Sequence, residues 1–367
     1  MGGDSGRPRV TVVLPTYNER ENVSILIPRL ARVLEEAGLD YEILVVDDNS
    51  PDGTCEEVER IASNMGDGRI RCIRRVGERG LSSAVVRGFR EARGDIAVVL
   101  DADNQHPPEV VPLLVEKVMD GADIAVASRY TRGGGVEEWS RVRLVLSKIA
   151  NRIAHLLVPE TRKTSDPMAG FFAVRLDRID LDRLQPRGFK ILVEILGRHP
   201  CLRVVDVPYT FRKRHAGRSK IGVRVATDFL RQAWSLSPMP RFMLVGASGT
   251  IVNLAVMAMV LSATGHVDIA SLAGIEASII SNYLLHEVYT FKTKFARTCG
   301  TSAAGRLIRY HYASAAGIVT TYATMKLLTL LGILTPIPAQ AVGILLGFIA
   351  NYIISTGGVW NCGRGCE

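Results

Sequence analysis

Cysteine is scarce, with six in 367 residues. That is too few for a disulfide-knitted scaffold of this length. Nor is an apolar leader expected. Met1–Arg9 is polar and Gly-rich and lacks the hydrophobic core of a secretory signal. The large N-terminal part is therefore expected in the cytoplasm, with its cysteines reduced. Nor is the chain short of apolar residues: 47% are hydrophobic and 22% charged, which excludes disorder. The most telling shortage is charge in the last third. Residues 242–367 hold only seven Lys/Arg and four Asp/Glu, out of 45 and 37 in the whole chain. The mean hydropathy of +0.15 thus averages a soluble part and a membrane part that meet near Pro238–Arg241. The length allows two or three domains.

Residues 9–175 alternate apolar, Val- and Ile-rich runs with helix-period segments. The runs are Arg9–Leu14, Glu42–Val46, Arg69–Ile73, Asp95–Leu100, Asp123–Ala127 and Phe171–Val174. The segments between the early runs are Glu19–Ala37, Thr54–Ser63, Ser82–Ala92 and Pro108–Met119. This alternation predicts an α/β domain with a mostly parallel sheet covered on both faces. Ligands in such sheets sit at the C-terminal ends of the strands. The polar punctuation falls there: Pro15–Glu19, Asp47–Asp52, Asp101–His106 and Ser128–Arg132.

The last third is expected to be an all-α transmembrane domain over 241–367, with four helices at about 242–262, 269–289, 311–331 and 339–356. Each stretch approaches the ~20 residues that cross a bilayer. Between the second and third lie Lys292, Lys294, Arg297, Arg306 and Arg309 with no acid. The positive-inside rule puts that loop, and hence both termini, in the cytoplasm. Glu276 interrupts a span and is expected to be functional, interfacial or paired inside the bundle. Two segments, 139–158 within a soluble domain over 1–221 and 222–240 after it, read as basic amphipathic helices lying in the membrane surface. Cys362 and Cys366 lack two further nearby ligands for zinc and are read as a loose tail.

The chemistry-bearing residues follow the strands. Asp101 and Asp103, one residue apart after the run Ile96–Leu100, can direct oxygens at one hard divalent cation, with Gln105 as a neutral ligand. Asp47-Asp48-Asn49-Ser50 ends another strand. Its carboxylates can accept from a base or ribose, or the segment can be an Asx turn. Tyr17 can stack on a base, and Glu19 can hydrogen-bond it or cap the next helix. Arg79-Gly80-Leu81-Ser82 opens a helix and suits phosphate.

Six segments occur in order: PTYNE, VDDNSPDGT, RGLSSAVVRG, DADNQHPPE, ASRY-x2-GGGV-x2-W and SDPMAGFFAVR. Over about residues 9–230 they resemble family-2 glycosyltransferases of the GT-A fold, and most closely the dolichol-phosphate mannose synthases. The segments RFMLVGASGTIVN, SNYLLHEVYTF and NYIIS resemble GtrA-like membrane domains. The resemblance implies an inverting transfer of mannose from GDP-mannose to dolichyl or another polyprenyl phosphate. It implies that Pro15, Tyr17, Glu19, Asp48 and Arg79 hold the nucleotide, with Asp101 and Ala102. Asp101, Asp103 and Gln105 would hold Mg²⁺ or Mn²⁺, with Asp103 also near the sugar. Arg129 and Arg143 would meet the acceptor phosphate, and Arg214 and Lys220 phosphates of donor or acceptor. Asn104 stands where such proteins commonly have Leu, and Ser82 where Gly is common.

The chemistry agrees. A phosphate monoester with a second pKa of ~6 is largely dianionic at neutral pH and needs no protein base. The protein must bring two anions together, which Arg129, Arg143 and Arg214 suit. No Ser-His-Asp set and no essential catalytic His are expected, and His106 is read as a positioning residue. Beside amphipathic helices, the basic run Arg198–Arg224 fits lipid phosphate better than nucleic acid. Rival readings are the same chemistry with UDP-glucose, a flippase role for the spans, and a polysaccharide synthase, for which Gln232-Ala233-Trp234 is a poor echo of the acceptor motif. The sequence leaves the oligomeric state open.

Overall fold

Val10–Thr16 (β1) sends alternate side chains to opposite faces of a sheet, as strand geometry requires. Val10, Val12 and Leu14 go to one core and Val13 to the other. In this computed structural model the described residues are 9–66, 68–186, 188–213, 223–291 and 302–360. They divide into two units, Met1–Leu236 and Ser237–Glu367.

The first unit adds α1 (Arg20–Glu36), β2 (Tyr41–Asp47), α2 (Thr54–Met65), β3 (Ile70–Arg74), α3 (Leu81–Glu91), β4 (Ile96–Val99), α4 (Val111–Met119) and β5 (Ile124–Ser128). There follow β6 (Gly135–Val136), α5 (Arg141–Leu157), β7 (Phe172–Arg175), α6 (Ile191–Arg198), β8 (Val204–Pro208), β9 (Thr210–Phe211) and α7 (Val223–Leu236). The main sheet runs β3-β2-β1-β4-β7-β5-β8. All its pairings are parallel except those of β7, which is antiparallel to β4 and β5. The expected mostly parallel sheet is present, and the sequence reading missed β8.

One face packs α1 and α4 through Leu26, Leu30 and Leu114. The other packs α3 and α6 through Val85, Phe89, Leu192 and Ile195. Gly88 of α3 permits a close approach: a Cβ there would stand 2.4 Å from Val13 Cγ1.

Cysteine needs a correction. Cys55, at the start of α2, and Cys72, in the adjacent β3, form a disulfide with Cα atoms 5.7 Å apart. The helix docks beside the strand at the separation a disulfide requires, which the expectation of reduced thiols did not foresee. Cys362 and Cys366 lie outside the described residues.

The two amphipathic helices divide their apolar stripes. In α5, Val142 and Leu146 are 69% and 60% exposed, and Val145 and Ile149 are exposed too. Its last turns pack Ala154, Ile153 and Leu157 against α6 and against Phe229 and Ala233 of α7. The expected 222–240 segment is α7, followed from Met239 by a long apolar helix.

The second unit contains α8 (Met239–Thr264), α9 (Val267–Leu285), α10 (Ala303–Leu330) and α11 (Pro336–Ile354). Among the described residues two helices are long and apolar enough to cross a membrane, Met239–Thr264 and Ile337–Val359. Four spans were expected. The other two helices carry the polar load, Asp268 and Glu276 in α9 and Arg306, Arg309 and Lys326 in α10. Glu276 Oε1 lies 3.0 Å from His311 Nε2 of α10.

Candidate active site

The C-terminal ends of β1, β2 and β4 each break into a turn with an Asn in the left-handed region: Asn18, Asn49 and Asn104, at φ 58°, 55° and 60°. Asn tolerates that backbone where branched residues do not. Asn104, one of the two departures from the family pattern, thus suits its turn, and its Nδ2 donates to Asn22 O at 3.2 Å.

Asp47 and Asp48 have separate duties. Asp47 organises the turn, accepting from Thr16 Oγ1 at 2.8 Å, Ser50 N at 2.7 Å and Ser50 Oγ at 2.6 Å. Asp48 faces the start of α3. Its Oδ1 accepts from Arg75 Nε at 2.8 Å and its Oδ2 from Gly80 N at 2.7 Å. Arg75 also donates to Ser83 Oγ and Gly80 O. The sequence reading missed Arg75, which lies in none of the segments that carried the resemblance. Its signal was a cation at the end of β3, beside two acids at the end of β2. The Arg79 guanidinium lies 5.3 Å from the Tyr17 ring centroid, so two expected nucleotide residues meet. Glu19 Oε2 accepts from Asn22 Nδ2 at 2.6 Å, in the first turn of α1. Pro15 lies within β1, and Ala102 is buried between the two candidate ligands. Ser82, the other departure, is buried with its Oγ unpartnered, and its N–H donates to Gly188 O at 3.4 Å.

Asp101, Asp103 and Gln105 lie in the turn after β4. Asp103 Oδ1 accepts from Gln105 N at 3.1 Å. Gln105 Nε2 donates to Arg212 O at 3.0 Å, and Arg212 N donates back to Gln105 O at 2.9 Å. With its amide nitrogen so engaged, Gln105 keeps its carbonyl oxygen for a ligand. Among the described residues no three His, Cys, Asp or Glu gather as a metal cage. Two carboxylates and an amide instead fit a hard cation that completes its shell with water and phosphate oxygens. Gly170 keeps room beside them, since a Cβ there would stand 3.1 Å from Asp101 Oδ2.

His106 is buried among Phe171, Tyr209 and Phe211. Its Nε2 lies 3.5 Å from Asp101 Oδ2, and its Nδ1 is buried without a hydrogen-bond partner. An orphaned N–H costs more than an orphaned lone pair, so the proton belongs on Nε2, towards Asp101.

The arginines gather on aromatic rings. Arg129 grips Asp166 with two parallel bonds, Nε to Oδ2 and Nη2 to Oδ1, both 2.7 Å. Burial works against its charge, but the Asp166 bonds prevail and hold its pKa above the ordinary arginine value. The guanidiniums of Arg129 and Arg143 lie 5.3 and 4.2 Å from the Trp139 ring centroid. The tertiary structure thus unites two expected acceptor residues and adds Asp166 and Trp139. Lys190 Nζ donates to Met168 O at 2.8 Å. Burial pushes its pKa down, Arg129 adds to that, and Asp101 and Asp166 oppose it. Arg214 and Lys220 lie outside the described residues.

Residues 11–179 match glycosyl transferase family 2, and residues 241–360 match the GtrA/DPMS transmembrane domain. The chain is 40% identical over 359 residues to the dolichol-phosphate mannosyltransferase of Pyrococcus furiosus, covering 96% of this chain and 99% of that protein. It is 39% identical over 232 residues to the Saccharomyces cerevisiae protein of the same name, covering 60% of this chain and 84% of the relative. It is 38% identical over 221 residues to the polyprenol monophosphomannose synthase of Mycolicibacterium smegmatis, covering 58% and 81%.

Proposed function

Because this chain belongs to the dolichol-phosphate mannosyltransferases, with a family 2 glycosyltransferase domain and a GtrA/DPMS transmembrane domain, we propose that it transfers mannose from GDP-mannose to dolichyl or another polyprenyl phosphate with inversion. The observation that carries this reading is the Asp101–Gln105 turn after the C-terminal end of β4, the central strand, with Gln105 fixed on Arg212 O. Pro15, Tyr17, Glu19 and Asp48 hold the nucleoside, Arg79 suits its phosphates, and Asp101 and Asp103 face the diphosphate. Bound to Asp101, Asp103 and Gln105, Mg²⁺ or Mn²⁺ would offset the charge of the departing diphosphate.

The acceptor brings its own nucleophile. An oxygen of the phosphate group, which is largely dianionic at neutral pH, forms the new bond to the sugar C1 as the bond from C1 to the GDP oxygen breaks. No protein base takes a proton. Arg143 and Arg129 reduce the repulsion between the two anions and orient the attacking oxygen. Because Asp166 takes Nε and Nη2 of Arg129, that side chain has Nη1 left to offer. The exposed stripe Val142–Ile149 of α5 lies in the membrane surface and brings the lipid phosphate to these cations. If all four helices cross, the basic residues from Lys292 to Arg309 support a cytoplasmic side for the catalytic unit and both termini by the positive-inside rule.

The test supplies labelled GDP-mannose or UDP-glucose with dolichyl phosphate and Mg²⁺ or Mn²⁺ to purified, lipid-reconstituted protein. Label in the organic phase from GDP-mannose, lost in Asp103→Ala, is the expected result. Label from UDP-glucose alone would overturn the donor, and lipid label from neither would overturn the acceptor.

A further inference from the structure

The second unit repeats itself. Arg241 and Phe242 near the start of α8 correspond to Arg309 and Tyr310 of α10. The buried Val245 and Gly249 of α8 correspond to the buried Ala313 and Gly317 of α10. In the returning helices Asn282-Tyr283 is matched by Asn351-Tyr352. Both returning helices end in a five-residue π turn, His286–Thr290 and Ser355–Val359, capped by an aromatic, Phe291 and Trp360.

The packing repeats with the sequence. A Cβ on Gly249 would collide with Asn282, and one on Gly317 would press on Asn351. A Cβ on Gly274 would meet Asn253 O at 2.7 Å, and one on the equivalent Gly343 would meet Thr321 O at 2.5 Å. Between the hairpins the contacts are reciprocal. Phe242 of the first meets Tyr352 of the second, with centroids 5.3 Å apart, and Tyr283 of the first meets Tyr310 of the second at 6.2 Å. Phe291 and Trp360, equivalent to each other, stack at 4.4 Å and 17°. Residue i meeting j′ while i′ meets j, with a self-equivalent pair at the centre, is the signature of a two-fold interface.

One cluster breaks the symmetry. Glu287 Oε1 accepts from Arg306 Nε at 2.9 Å and from Trp360 Nε1 at 3.0 Å, and its Oε2 accepts from Arg306 Nη2 at 3.2 Å. All three residues are buried. The residue equivalent to Glu287 is Thr356, whose hydroxyl donates to Tyr352 O within its own helix. The position equivalent to Arg306 is Pro238. The ion pair therefore exists on one side only.

We propose that residues 239–360 are one helical hairpin in tandem, folded as an internal two-fold dimer, and that Glu287, Arg306 and Trp360 latch the first hairpin to the second hairpin of the same chain. Apolar helices gain little from association in lipid, and nearly equivalent hairpins can exchange partners between chains as a domain swap. A buried charge is costly unless it meets its partner. Among the described residues, Glu287 meets that need with Arg306 and Trp360 of the second hairpin, so the latch selects that pairing over a first hairpin from another copy.

The test uses the full chain with a protease site inserted between residues 292 and 301, cut after purification in detergent. The two pieces are expected to co-elute. Glu287→Gln is expected to lower the temperature at which they part, and Glu287→Gln with Arg306→Met to recover part of that loss. Phe242→Ala and Tyr310→Ala, at equivalent positions, are expected to lower it comparably, and the exposed Met259→Ala to leave it unchanged. If Glu287→Gln does not accumulate, Trp360→Phe keeps a ring, removes the donor to Glu287 and reads the same latch. Cut pieces that part while the uncut chain stays monodisperse, or unequal effects at 242 and 310, would overturn the two-fold reading. A latch variant no weaker than the parent would overturn the latch.

Discussion

Arg75 and Asp48 form a buried ion pair just past the C-terminal ends of β3 and β2. Arg75 Nε donates to Asp48 Oδ1 at 2.8 Å, and the opposite carboxylate oxygen accepts from Gly80 N at 2.7 Å. One carboxylate thereby ties the end of β2 to the turn that opens α3. Under the proposed function, Arg75 would act on the nucleotide through Asp48 and Gly80, as a positioning residue.

Arg75→Met would leave the Asp48 carboxylate buried without its cation. Breaking such a pair costs about 3–5 kcal/mol. A lower melting temperature in detergent is expected. So is a raised KM for the nucleotide sugar, larger in proportion than any loss in kcat. An unchanged KM would show that Asp48 does not need this partner to bind the donor.

His106→Gln tests the contact with Asp101. Ligand-orienting partners of this kind commonly change metal affinity by about 10–100-fold. Weaker Mn²⁺ binding, read by electron paramagnetic resonance without donor or acceptor, is expected, and His106→Phe should weaken it further. Equal Mn²⁺ affinity in all three proteins would limit His106 to packing.

Glu42 gives a pH prediction. Burial pushes its pKa up, but the Arg93 N–H, the Thr11 hydroxyl and Arg71 outweigh burial and hold it below the ordinary 4.5. A carboxyl with a depressed folded pKa adds stability above its unfolded pKa and loses it as pH falls through the folded one. Glu42→Gln should therefore cost about 1–3 kcal/mol at pH 7. The difference should shrink below about pH 4, as read by melting the two proteins across that range. A gap independent of pH would contradict the assignment.

The Cys55–Cys72 bridge closes a sequence separation of 17 residues, for which chain entropy predicts about 3 kcal/mol. Cys55→Ser/Cys72→Ser should melt correspondingly lower. Peptide mapping without reductant should recover the two cysteines in one linked fragment, and two separate thiol peptides would refute the bridge.

Val142 and Leu146 test the proposed membrane face of α5. Charging both removes two apolar side chains worth about 1.5–3 kcal/mol each when buried. The Val142→Glu/Leu146→Glu protein should transfer mannose to a long-chain polyprenyl phosphate in vesicles at least ~10-fold more slowly, while keeping its rate on a short, water-soluble prenyl phosphate. Equal losses on both acceptors would place the defect in folding or chemistry.

Much of this protein was legible in the residues themselves. Continuous Val- and Ile-rich runs can bury both faces only within a covered sheet, so β1, β2 and β4 and the turns after them follow from the pattern alone. Asp101, Asp103 and Gln105 were readable because all three lie in one turn. The loss of charge after Arg241 marked the membrane part. What the residues did not disclose lies in partners distant in sequence. Asp166 reaches Arg129 only when β7 inserts antiparallel beside β5. Arg75 reaches Asp48 because β3 pairs with β2, and the packing of α2 beside β3 brings Cys55 to Cys72. Local patterns set which elements form, since periodicity and turn chemistry act over a few residues. Which charges meet depends on strand order and helix pairing, and those are decided only when the whole sheet and the two hairpins have closed.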